Sequence, residues 1–221
     1  MSKTSALFTA AATAFMTLAV ASAHATPIIG PVAVSASIAD LDSTTYAIGN
    51  LINQSGLSSS YTSGVTDFST FVASATLTTS PSSTNGWAST TGNQFPAFID
   101  FDLGAVSLVS RMALWNDTDI QALGAFQIFA SADAAFTTLT SLGAFTGAVQ
   151  NIGTLAQVFD IADATTQYIR ISGSPVVNVN GLLNIGEIAF EGATSTVPEP
   201  TSLALLGLGL AGLRVTRRRK A

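Results

Sequence analysis

From Pro27 to Thr196 no stretch repeats its apolar residues at helical spacing. Short runs rich in Val, Ile, Phe and Thr alternate instead with clusters of Gly, Ser, Asn and Asp, the pattern of strands broken by turns. The clearest run is Phe98-Ile99-Asp100-Phe101-Asp102-Leu103, which sets Ile99, Phe101 and Leu103 on one face and both aspartates on the other. Gln127-Ile128-Phe129 and Tyr168-Ile169-Arg170-Ile171 behave alike. Strands are expected at Val32–Ser37, Ala97–Leu103, Leu108–Trp115, Ala125–Ala130, Ala156–Ile161, Tyr168–Ile171 and Ile185–Phe190. That spacing predicts an all-β sandwich or barrel. A body this long buries about 70% of its unfolded surface and needs no disulfide. Residues 41–96 are less regular and rich in Ser, Thr, Gly and Asn, as long loops on a β scaffold are.

The distribution of charge excludes several functions. Residues 26–197 hold 12 acidic residues against Arg111 and Arg170 alone, a net charge of −10, although the whole chain reads −5. Such a body cannot neutralise phosphates, so nucleic acid is excluded as a partner. The chain has no cysteine, and its one histidine is His24. With His24 removed by export, the body lacks His, Cys and Lys. That excludes Ser-His-Asp and Cys-His nucleophiles, His-ligated metals and Schiff-base chemistry. The expectation is a protein that is not an enzyme.

The two ends carry addresses. Lys3, the apolar run Ala6–Ala21 and the small residues Ala23 and Ala25 around His24 form a secretory signal peptide over residues 1–25, cut after Ala25. At the other end Val197-Pro198-Glu199-Pro200 precedes an apolar run, Ser202–Leu213, and a basic tail containing Arg214, Arg217, Arg218, Arg219 and Lys220. Twelve residues rise about 18 Å as a helix, against a hydrocarbon core of roughly 30 Å. The basic cluster stays cytoplasmic by the positive-inside rule, so this short transmembrane helix holds the exported chain in the inner membrane only transiently. The order of motif, apolar helix and arginine cluster resembles the PEP-CTERM sorting signal of Gram-negative bacteria. The resemblance implies processing by an exosortase-type membrane protease and release to the cell surface or extracellular matrix. It also implies an association with exopolysaccharide and biofilm.

A second resemblance runs through the body. Its parts, in order, are Asn50-Leu-Ile-Asn53, Trp87-Ala-Ser89, Ile99-Asp-Phe-Asp-Leu-Gly104, Leu114-Trp115-Asn116, Phe126 to Asp133 with Phe136-Thr-Thr-Leu139, Tyr168-Ile-Arg-Ile171 and Gly186-Glu187-Ile188. Together they resemble the discoidin, or coagulation factor 5/8 C-terminal, domain of the galactose-binding-like superfamily. The resemblance implies an eight-stranded jelly-roll β-sandwich over residues 26–196, between the signal helix and the sorting segment 197–221. It also implies that Trp87 and Trp115 pack in the core, that loops at one end bind glycans, lipid headgroups or proteins, and that some members hold a structural calcium ion. In calcium-binding relatives an Asp-Gly-Asp turn and a last-strand Glu supply the ligands. Here the turn reads Asn53-Gln54-Ser55-Gly56, so both Asp positions are altered, while Glu187 matches. The candidate calcium ligands are Asn53, Asp67 and Glu187.

The aromatics Tyr61, Phe68 and Phe71 of the long loop region are the candidate sugar-stacking rings, with loop anchors as the alternative reading. Asp117 and Asp119 are candidate acceptors for sugar hydroxyls. Asp100 and Asp102 lie about 7 Å apart on one strand face. Catalytic carboxylate pairs flank a cleft from separate elements, so these two are read as part of the strand motif. Arg111 and Arg170 are read as structural partners of carboxylates. The expected function is an exported surface or matrix protein that binds extracellular polysaccharide. The alternative is a structural matrix protein that associates with itself or with other matrix proteins and binds no sugar. A hydrolase is a third, disfavoured by the missing His, Cys and Lys.

Overall fold

A computed structural model describes residues 26–80 and 85–194. The expected signal peptide with its Ala23/Ala25 cleavage site, and the sorting segment from Val197 through Pro198, Glu199 and Pro200 to Arg217, Arg218 and Arg219, lie outside the described residues. Among those residues no helix is long and apolar enough to cross a membrane.

Eight strands follow in chain order: β1 (Ile28–Ile29), β2 (Ala33–Ala36), β3 (Trp87–Ala88), β4 (Ala97–Asn116), β5 (Leu123–Ser131), β6 (Leu139–Thr146), β7 (Gln157–Pro175) and β8 (Asn184–Thr194). One short helix, α1 (Phe68–Val72), and a 3₁₀ turn at Ile48–Leu51 interrupt them. The ladders are antiparallel and run β1-β8-β4-β7-β5-β6, with β2 beside β4 and β3 beside β8.

Two of these strands correct the sequence reading. Ala97–Leu103 and Leu108–Trp115 are halves of the single strand β4, and Ala156–Ile161 and Tyr168–Ile171 are parts of β7. The ladder is irregular between Asp102 and Ser107, where Gly104 takes φ +78°. A glycine there bends the strand without ending it, because only glycine enters the left-handed region without a Cβ clash. The bend lets β4 serve two layers. Its first half pairs with β2, and its second half with β8.

The layers face each other across one core. Phe101, from the first half of β4, meets Phe190 of β8 edge-on at 5.6 Å between ring centres. Ile99, Met112, Leu114, Ile128, Ile169, Ile171 and Ile188 complete this interior. Each large side chain so buried contributes roughly 1.5–3 kcal/mol. Trp87 and Trp115 are both fully buried, as the sequence implied. Trp87 Nε1 donates to Asp40 Oδ1 at 2.8 Å, and Trp115 Nε1 donates to the Ala75 carbonyl at 3.0 Å.

Candidate functional site

The three candidate rings of the long loop region do not form a ligand surface. The run Met112-Ala113-Leu114-Trp115 is apolar on both sides of its strand, which demands cover on both faces of the β4–β8 layer. Met112 and Leu114 point into the main core. Ala113, Trp115 and Ala189 form a second core with Ile28, Leu57, Tyr61, Phe68, Phe71 and Leu77. Tyr61, Phe68 and Phe71 are only 7%, 0% and 5% exposed. Tyr61 packs edge-on against Phe71 at 5.3 Å, and Phe71 against Trp115 at 6.0 Å. The three rings expected to stack on sugar are therefore anchors that fasten this segment to the sheet. The continuous apolar run in β4 was the sequence signal for that role.

Asp117 is also corrected. It is fully buried, and its Oδ1 accepts from the Thr118 amide at 2.7 Å while Oδ2 accepts from Asn184 Nδ2 at 3.1 Å. Asp119 is exposed, and its Oδ1 accepts from the Ile120 amide at 2.7 Å, which fixes a turn.

The three candidate calcium ligands are not brought together. Asp67 is the N-cap of α1 and accepts from the Thr70 amide at 2.8 Å. The Thr70 hydroxyl, also bonded to it, is the main cause holding its carboxyl below the usual range. Its charged neighbours are Arg111 and Glu191. Arg111 and Glu191 face each other across the β4–β8 ladder, with Nη2 2.6 Å from Oε1. Glu187 lies four residues back along β8, about 13 Å by strand rise. Asn53 is exposed, and its Oδ1 already accepts from the Ser55 amide at 2.9 Å. The Gln54 amide donates to Glu187 Oε2 at 2.8 Å, placing an N–H where a cation would need an oxygen. Among the described residues no three acidic or histidine side chains converge. Calcium takes six to eight oxygens, and this donor set does not fit it.

Glu187 is instead a buried acid whose protonated form is favoured by its surroundings. It is fully buried, Oε1 has no hydrogen-bond partner, and burial raises its pKa well above the usual value. The unfolded chain releases this proton near pH 4.5, while the folded chain keeps it to higher pH. Its contribution to stability is therefore full below about pH 4.5 and declines as pH rises towards the folded value. Glu191, held low chiefly by Arg111, works in the opposite direction and loses its contribution as pH falls. Glu187→Gln is expected to gain stability relative to the parent chain above pH 4.5 and to match it below. Melting temperature against pH, with calcium or with chelator, checks this; a gap independent of pH, or a rise in the parent with calcium, would contradict it.

A different surface carries half-buried aromatic rings and acids together. On the outer face of the other layer, register places Ser35 opposite Asp100 and Ala33 opposite Asp102 across β2–β4. Across β4–β7 the same rows continue to Arg170 and Tyr168. Arg170 grips Asp100 with two bonds, Nε to Oδ1 at 2.6 Å and Nη2 to Oδ2 at 2.7 Å, so both oxygens of Asp100 are occupied. Its guanidinium lies 4.7 Å from the centre of the Phe98 ring and 4.4 Å from that of Phe136. Arg111 is likewise paired, as the sequence reading held for both arginines.

Phe136 is held in place from both sides. Asp133 Oδ1 accepts from the Ala135 amide at 3.0 Å and the Thr137 amide at 3.3 Å, and Oδ2 accepts from the Thr137 hydroxyl at 2.7 Å. The Thr137 hydroxyl is the largest cause holding the Asp133 carboxyl below its usual range. This clamp keeps Phe136 at φ +53°, an unusual conformation for a bulky residue. The ring then meets Tyr168 edge-on at 6.1 Å.

Between them is an open pocket of about 170 Å³, lined by Val34, Ser35, Asp100, Asp102, Phe136 and Tyr168 among others. It is smaller than the roughly 300–1,000 Å³ of a drug-sized site, so its size suits one ring of an extended ligand. Asp102 Oδ1 accepts from the Gly104 amide at 2.7 Å and from Gln167 Nε2 at 2.9 Å, and Oδ2 has no protein partner among the described residues. Two other depressions, of about 240 and 300 Å³, lack this combination. The first has Phe126 and Phe145 but no ionisable group; the second has Asp163 and hydroxyls but no ring. Sequence reasoning missed this site because strand register brings Tyr168 beside Asp102 and the β5–β6 loop folds Phe136 onto them.

Comparison with known proteins adds two findings. Residues 196–220 match the PEP-CTERM protein-sorting motif. No curated protein matches the sequence. Among solved structures the chain is similar to the CBM32 of AlyQ in complex with 4,5-unsaturated mannuronic acid, with 22% identity and a TM-score of 0.50, covering 74% of this chain and 96% of that one. Chitosan-binding module 1 from a chitosanase/glucanase of Paenibacillus sp. IK-5 aligns at 17% identity and a TM-score of 0.49, over 76% of this chain and 100% of that one. A pectin-binding carbohydrate-binding module aligns at 17% and 0.48, over 75% and 93%. The chain thus joins a β-sandwich similar in fold to a carbohydrate-binding module to a C-terminal PEP-CTERM sorting motif.

Proposed function

We propose that this is a non-catalytic, exported protein that binds extracellular carbohydrate outside the cell, through the outer-face pocket of its sandwich. The observation that carries the reading is the pocket itself, where two rings on a clamped loop and a strand stand beside a carboxylate that has one oxygen without a partner among the described residues. Apolar rings complement the C–H face of a pyranose, and carboxylates accept from its hydroxyls. The AlyQ module of similar fold is in complex with a sugar acid, which supports carbohydrate as the ligand class and not the choice of sugar or pocket.

The sorting motif supplies the route. The exported chain is held in the inner membrane by residues 202–213 until an exosortase-type protease acts at the Val197–Pro200 motif. The sandwich then reaches the cell surface or matrix, with exopolysaccharide of a biofilm as its ligand. Saturable binding of the purified chain to the producer's exopolysaccharide, competed by free oligosaccharide, tests the reading. Concentration-dependent self-association without sugar binding would favour the structural matrix protein instead.

Replacing Pro198, Glu199 and Pro200 together by alanine is expected to abolish processing. The chain should then accumulate at full length in the inner membrane fraction. Immunoblots of fractionated cells check this; unchanged release into the medium would contradict it.

A further inference from the structure

We infer that the outer-face pocket selects amino sugars that carry a free ammonium, as in a polymer of de-N-acetylated hexosamine. This rests on the carbohydrate-binding reading above and narrows it to a ligand class.

The charges decide between the three kinds of sugar. A uronate or sulfated sugar needs a cation to receive it. Among the described residues the only cations are Arg111 and Arg170, and each is already engaged. Arg111 is spent on Glu191, and Arg170 uses both Nε and Nη2 on Asp100. Against these two stand 12 acids in residues 26–197, so an anionic polymer is repelled before it reaches the surface. A neutral sugar is neither attracted nor repelled. An ammonium sugar is drawn in by the same field, and its charge finds a local partner.

That partner is Asp102. Its Oδ1 is held in place by the Gly104 amide and Gln167 Nε2, which leaves Oδ2 for an incoming donor. Asp100 is neutralised by Arg170, which bonds both its oxygens, so it offers an ammonium no net charge. The rings of Phe136 and Tyr168 lie beside Asp102 in the same pocket; Arg170 already covers one face of Phe136, which leaves Tyr168 as the ring that can attract an ammonium. One exposed ion pair contributes little alone. The net negative field of the body acts on every ammonium of the polymer and adds to that single pair.

The test uses the full-length chain in detergent and three probes of equal length: hexamers of glucosamine, of N-acetylglucosamine and of mannuronate. Titration calorimetry at low salt is expected to give saturable binding of the glucosamine hexamer at least about tenfold tighter than that of its N-acetylated form. Mannuronate should give no measurable binding. The preference should shrink at 0.5 M salt, where charges are screened within about 5 Å. Asp102→Asn, which keeps the Oδ1 acceptor, is expected to bring the ratio of the two hexosamine affinities close to one. Ser35→Lys, at an exposed position in the pocket, is expected to do the same and guards against misfolding of the first variant.

Equal or tighter binding of the N-acetylated or mannuronate hexamer would overturn the ligand class while leaving carbohydrate binding in place. An amine preference that survives both substitutions would overturn the role of Asp102 and assign the effect to net charge. If none of the three hexamers binds saturably, and the producer's exopolysaccharide does not either, the carbohydrate-binding reading fails, and this inference with it.

Discussion

Trp115→Ala is expected to destabilise the folded chain by about 3–5 kcal/mol, in the range of large-to-small changes at fully buried aromatic positions. The indole is fully buried between the β4–β8 layer and the segment that covers it. Its loss opens a cavity under Phe71 and leaves the Ala75 carbonyl without its donor. The cover is fastened mainly by rings that converge on this tryptophan, so residues 54–80 should become a site of proteolysis in the variant. Urea denaturation and limited digestion of the full-length chain check both parts. A loss below about 1 kcal/mol would mean that Tyr61, Phe68 and Phe71 do not form a structural cover, and would reopen their role as ligand contacts.

Removing the pocket rings should have the opposite profile, with binding lost and stability kept. Phe136→Gly and Tyr168→Ala are each expected to weaken carbohydrate binding about tenfold, or ~1.4 kcal/mol. The double variant should lose about 100-fold. The two rings touch at 6.1 Å, so the losses need not add fully. Glycine is the informative choice at position 136 because the backbone there is left-handed. A bulky residue pays about 1–2 kcal/mol for that conformation, and glycine is released from it. Phe136→Gly should therefore melt no lower than the parent chain. Unchanged affinity in the double variant would remove the pocket from the binding surface.

The parts legible in the sequence are those that local pattern decides. Alternation from Phe98 to Leu103 showed which residues face the core, and Ile99, Phe101 and Leu103 are indeed buried. The tryptophans and both arginine pairs followed from the family resemblance and from the scarcity of cations. Strand β6 was missed because Leu139–Thr146 carries mostly Thr, Ser, Gly and Ala, and only Leu142 is buried there. It lies at the end of the ladder, where an edge strand needs little apolar surface. The continuity of β4 was missed because Gly104 reads as a turn, whereas its positive φ bends a strand that continues. Of the two readings of the rings in residues 61–71, the anchor holds and the ligand contact does not, although a Ser- and Thr-rich stretch resembles an exposed loop. Their burial is dictated from a distance, by the two-sided apolar run ending at Trp115. The pocket is the extreme case: Asp102 and Tyr168 are neighbours only through the β4–β7 register.

The central claim is that carbohydrate meets this protein on the outer face of the sandwich and not at the loop end. Amide chemical-shift mapping of the isotope-labelled full-length chain during titration with a saturating oligosaccharide tests it most directly. The account predicts perturbations concentrated at Ser35, Asp102, Phe136 and Tyr168, absent from the variant lacking both rings. Perturbations centred on Asn53 and Asp119, or none at saturating sugar, would contradict it.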